Sequence, residues 1–87
     1  MYLHLGNDVM ASFSDLISII NVERHMTEEA RNIMGHAEKN RKLVVIGREN
    51  KEKSLVICQN KVYVSPISSS TLYKRSAQLN REEKKDE

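Results

Sequence analysis

Residues 43–66 read LVVIGRENKEKSLVICQNKVYVSP, and the fold turns on how this stretch is parsed. Leu43-Val44-Val45-Ile46 is a short apolar run of the kind found in central strands, and Gly47 ends it. Ser54-Leu55-Val56-Ile57-Cys58 is a second run, and Val62-Tyr63-Val64-Ser65 is a third, stopped by Pro66. Residues 48–53, charged except for Asn50, divide the first two runs; Gln59-Asn60-Lys61 divides the last two. Three apolar runs with short polar connections predict an antiparallel meander, with residues 48–53 as a hairpin loop.

Upstream, residues 27–40 carry the signature of a helix. The hydroxyl of Thr27 can accept from an orphan amide as N-cap, and Glu28 and Glu29 suit the positive end of the helix dipole. Ala30, Ile33, Met34 and Ala37 fall on one face, and Lys39, Arg41 and Lys42 crowd the C-terminal end. Gly35 weakens the helix by about 1 kcal/mol relative to alanine, and is read as allowing close approach of a strand. Nearer the start, Tyr2-Leu3-His4-Leu5 alternates as a strand, Gly6-Asn7-Asp8 turns, and residues 9–12 return. Residues 14–22, rich in isoleucine, read as a further strand. Downstream, Ser68-Ser69-Ser70 offers an N-cap for a short helix over residues 71–79.

The expected architecture is α+β: a small antiparallel sheet of about five short strands, one main helix and a short C-terminal helix. Residues 1–79 form the single domain. Residues 80–87 form a charged tail without an apolar anchor, expected to be disordered. With 87 residues, 39% apolar and 30% charged, the core is lean. One cysteine allows no internal disulfide, so association with another subunit is the expected remedy, through an uncovered sheet face or edge. No apolar run reaches the roughly 18 residues of a membrane helix. The first ten residues lack a signal-peptide pattern, which points to the cytoplasm.

Little in the chain points to catalysis. Cys58 in mid-strand reads as a small buried apolar residue. His4, His25 and His36 lack the close spacing of zinc ligands. Glu28 and Glu29 are explained by the helix start, and Gly6, Gly35 and Gly47 are too scattered for a phosphate loop. No enzyme activity, metal, cofactor or small-molecule substrate is expected.

Charge is the exception. Residues 39–75 hold nine basic and two acidic groups, a net +7, while residues 1–38 hold two basic and six acidic, a net −4. The overall +2 conceals this division. Arg41 and Lys42 precede the first apolar run, and Arg48, Lys51 and Lys53 follow it. Cations on exposed loops reach phosphates with salt-dependent affinity. With aromatics at 5%, contact with a duplex backbone is favoured over stacking on single strands.

Several segments carry a resemblance: Tyr2-Leu3-His4-Leu5-Gly6, Asp15-Leu16-Ile17-Ser18-Ile19, and above all Asn60-Lys61-Val62-Tyr63-Val64-Ser65-Pro66-Ile67-Ser68-Ser69-Ser70-Thr71-Leu72 with Lys74-Arg75. Over residues 1–75 the chain resembles the extracellular matrix regulator family RemA/RemB of Gram-positive bacteria, and is closer to the RemB branch. The resemblance implies a cytoplasmic, DNA-binding regulator of biofilm-matrix genes, acting as a homo-oligomer that can close into a ring. The resemblance implies Arg48, Lys51 and Lys53 as the candidates at the family's basic loop. The chain departs from the pattern where Glu49 and Asn50 follow Arg48 in place of the RemA branch's consecutive arginines, and where Asp15 stands at a position basic in the RemA branch. Asp15 and the acidic first third also support an alternative: an interaction protein that partners a DNA-binding paralogue and does not itself bind DNA.

Overall fold

The computed structural model describes residues 1–48 and 50–85. Strands β1 (Tyr2–Gly6) and β2 (Val9–Ser12) form a hairpin closed by Asn7 and Asp8. Both turn residues have positive φ, 47° and 65°, the combination that a tight two-residue turn requires and that Asn and Asp tolerate. A 3-10 turn, Phe13–Asp15, leads into β3 (Leu16–Asn21). Helix α1 (Glu28–Lys39) begins at the expected cap, where the Thr27 hydroxyl accepts from the amide of Ala30 at 3.1 Å. Then follow β4 (Leu43–Val45), β5 (Ser54–Cys58), β6 (Val62–Ser65) and α2 (Ser69–Lys85).

The α+β class is as expected, with two α-helices and six strands among the described residues, but the strands pair differently from a meander. Residues 43–46 do not pair with residues 54–58. The four-stranded sheet has the order β3-β5-β6-β4, and β4 lies parallel to β6. β6 therefore separates β4 from β5. The segment from Gly47 to Lys53 must cross two strand spacings, about 10 Å, and is long enough to do so. Its last residue meets the end of β6, where the Lys53 amide donates to the Ser65 carbonyl at 2.9 Å.

Both faces of this sheet are covered, so the expected uncovered face is absent and the edges β3 and β4 remain. On one face Ile19, Val56 and Cys58 pack with Leu3, Leu5 and Ala11 of the hairpin and with Leu72 of α2. On the other, Leu55, Val62 and Val64 pack with Ala30 and Ala37 of α1, supported by Ile33 and Met34. Alternation along each strand feeds both cores, which is why these runs are apolar at nearly every position. Gly35 does not meet a strand: a Cβ there would find nothing within 4 Å.

A clasp holds the three layers together. The Ser65 hydroxyl donates to the Leu5 carbonyl at 2.7 Å and accepts from the Ile67 amide at 3.0 Å. Ser54 donates to the Ile67 carbonyl at 2.8 Å. Both serines are fully buried, so each hydroxyl must find a partner inside the fold. Ser68 caps α2 through the Thr71 amide. Tyr73 then donates to the Ile19 carbonyl at 2.7 Å, and Arg75 to the His4 carbonyl at 3.0 Å. The backbone of α2 stays helical through Lys85, beyond the expected end at Leu79. Of the expected tail, residues 86–87 lie outside the described residues.

Candidate nucleic-acid interface

The sheet has two ends, and the structure sorts the candidate cations between them. At one, here the loop end, β4 and β6 finish and β5 begins; at the other, the turn end, residues 59–61 connect β5 to β6. Arg48, Lys51 and Lys53 lie at the loop end and are all exposed. Gly47 opens this segment with φ 81°, and a Cβ there would lie 3.6 Å from Pro66 Cγ and 3.8 Å from Asn7 Nδ2. A side chain at Gly47 would meet both the left-handed backbone and these neighbours. Lys53 is tied on both sides, since its carbonyl accepts from the Val22 amide at 3.1 Å while its amide reaches Ser65. Its backbone thus continues the sheet, and the lysine projects from an anchored position. Glu52 is half-buried in a shallow cleft with Met34, Val45, Asn50 and Val64. Glu49 lies outside the described residues.

Arg41 and Lys42 lie at the turn end, where α1 stops. The Lys42 amide donates to the Ala37 carbonyl at 2.8 Å and the Arg41 amide to the Glu38 carbonyl at 3.1 Å. This is the Schellman closure, which places the residue after the cap in the left-handed region. Arg41 occupies it with φ 58°, at a cost of about 1 kcal/mol relative to glycine. Lys61 joins them at this end: it lines one cleft with Lys42 and a second with Asp15. Nothing in the linear order signalled that grouping, because the parallel β4–β6 pairing creates it.

Asp15 is at the turn end as well. Its carbonyl accepts from the Gln59 amide at 3.0 Å, and its carboxylate raises the pKa of both Cys58 and Tyr63. Burial is the larger cause for Cys58, whose thiol is pushed above its ordinary 9.0. For Tyr63 burial again leads, followed by Cys58 and then Asp15. A buried thiol with a raised pKa is a poor nucleophile, so Cys58 acts as core. Among the described residues, no three of His, Cys, Asp and Glu are grouped to hold a metal. No described helix is long and apolar enough to cross a membrane.

A family model described as "RemA-like: Extracellular matrix regulatory protein A-like" matches residues 2–75. The chain belongs to the RemA-like family. It is also 34% identical over 76 residues to extracellular matrix regulatory protein B of Bacillus subtilis (strain 168), covering 87% of this chain and 90% of that protein. In this family member Val64-Ser65-Pro66-Ile67-Ser68 supplies the clasp: Ser65 secures the hairpin and Pro66 packs between Gly6 and Gly47. Arg75, half-buried, bonds to the backbone of β1. The candidate phosphate contacts lie elsewhere, on the basic loop that the clasp supports.

Proposed function

We propose that this regulatory protein binds duplex DNA as a homo-oligomer and controls transcription of extracellular-matrix (biofilm) genes in the cytoplasm. Its membership of an extracellular matrix regulatory family supports the regulatory role. The observation that carries DNA contact is the exposure of Arg48, Lys51 and Lys53 on one segment tied to the sheet. Their contacts are electrostatic and directed to the phosphate backbone, and so bind without strong base preference.

One subunit with three such cations binds weakly, and association multiplies it. The edge strands β3 and β4 expose Ile17 at 62% and Val45 at 53%, with Tyr73 capping β3 only at the Ile19 carbonyl, and edge-to-edge contact covers both. Such a contact is head-to-tail, and it closes into a ring if the rotation permits. Linked basic loops then gain affinity through effective concentration.

Fluorescence titration of a duplex at two salt concentrations tests this reading. Binding should fall steeply with salt; binding that ignores salt, or is absent at low salt, refutes it. Mass measurement in solution should give an oligomer, and a monomer removes the avidity argument.

The alternative is an interaction protein that partners a DNA-binding paralogue. Tyr2 at 64% and Met10 at 57% exposure on the outer face of the hairpin favour it, because exposed aromatic and Met side chains are common at protein contacts. A stable mixed complex, with no DNA affinity in this chain alone, would select it.

A further inference from the structure

The cleft at the turn end between α1 and the 59–61 turn measures 570 Å³. Small-molecule sites are on the order of 300–1,000 Å³. We infer that this cleft is a binding site for a nucleoside monophosphate, held without chemical change. Three features of its lining carry the inference.

The first is its carboxamides. Asn32 on α1 and Asn40 at its C-cap each lie one helical turn from His36, on either side of it, and Gln59 and Asn60 line the same cleft from the turn. Each carboxamide offers a donor and an acceptor, the pairing that reads the edge of a nucleobase. Asn40 spends one donor on the His36 carbonyl at 2.8 Å; its oxygen remains to accept. The second is an apolar floor of Ile33, Ala37 and Val62, suited to the face of a base.

The third is charge. Lys42 and Lys61 both line the cleft, and no lining residue is a carboxylate. The cleft sits at the C-terminus of α1, where the dipole opposes an anion with about half an elementary charge. Two lysines outweigh it. The Schellman closure also occupies the Ala37 and Glu38 carbonyls, which would otherwise point at the ligand. A ligand seated here covers Lys42, so a phosphate backbone cannot engage that lysine at the same time.

The site stands apart from the DNA-binding reading, and its test contains no DNA. Nitrogen-labelled full-length protein is titrated by NMR with AMP, GMP, CMP, UMP, adenosine and inorganic phosphate. At least one nucleotide should shift the side-chain amides of Asn32, Asn40, Gln59 and Asn60, and bind about tenfold tighter than inorganic phosphate, as expected for added base contacts. Lys61→Gln should weaken the nucleotide by about tenfold and leave adenosine unchanged. Asn32→Asp, at an exposed position, should weaken the nucleotide more than adenosine. No shift with any nucleotide at millimolar concentration overturns the site. Equal affinity for inorganic phosphate overturns the nucleotide class. Shifts confined to residues 47–53 overturn the location.

Discussion

At the loop end, Arg48, Lys51 and Lys53 stand exposed on a segment whose backbone is tied to Val22 and Ser65. At the turn end, Lys61 shares a cleft with Asp15 and Tyr63, and Lys42 lies in another with carboxamides. Both ends are basic, yet their surroundings suit different partners. The loop end offers three exposed cations on a backbone tied to the sheet, fit for an extended polyanion, with Glu52 in a shallow cleft beside them. The turn end offers clefts, one containing a carboxylate. Strand β5, with five residues from Ser54 to Cys58, holds the two apart by about 13 Å. That exceeds the Debye length of about 8 Å at physiological salt, so Asp15 scarcely weakens the field of the loop. Asp15 is therefore compatible with a loop that binds phosphate.

The contrast can be broken most directly by charge reversal. Arg48→Glu, Lys51→Glu and Lys53→Glu together should reduce duplex affinity on the order of 100-fold or more at low salt, as read by fluorescence titration. The same reversal at Arg41, Lys42 and Lys61 should cost less than about tenfold. Equal losses would erase the distinction between the ends.

The clasp beneath the loop comes next. Ser65→Ala removes a donor to Leu5 and an acceptor for Ile67 in a buried site, and should cost about 2–3 kcal/mol in urea unfolding. A cost near zero would show that the loop end does not depend on the clasp.

A smaller effect marks the turn end through pH. Burial first, and Asp15 second, hold the Cys58 thiol above its ordinary 9.0. Above that pH the unfolded chain loses this proton before the folded one, so stability falls as pH rises. Thermal unfolding should show this decline above pH 9, and Cys58→Ala should flatten it. Tyr63 adds to the slope from 10.0 upward.

The smallest effect is expected from Asp15→Asn, which should change duplex affinity by less than about twofold at physiological salt. A larger gain would mean that the turn end touches DNA.

Much of this was open to a reading of the chain. Helix α1, with its Thr27 cap, follows from local hydrogen bonding and a 3.6-residue period, both written in adjacent residues. The Asn7-Asp8 turn follows from two residues that tolerate positive φ. The basic loop was visible as a cluster of charges. The pairing of β4 was hidden, because Leu43-Val44-Val45 carries no mark distinguishing β5 from β6 as its neighbour. The grouping of Lys42 with Lys61 was hidden for the same reason.

The sequence alone determined the α+β class, the bounds of α1, the family and the presence of a cationic loop, since each depends on near neighbours or on composition, whereas α2 runs past its expected end to Lys85. Only the tertiary structure decided that β6 inserts between β4 and β5, that Ser65 and Pro66 form a clasp, and that Asp15 lies at the opposite end from Arg48, Lys51 and Lys53. These depend on which apolar faces can be buried together in three layers, a property of the whole chain that no single segment contains.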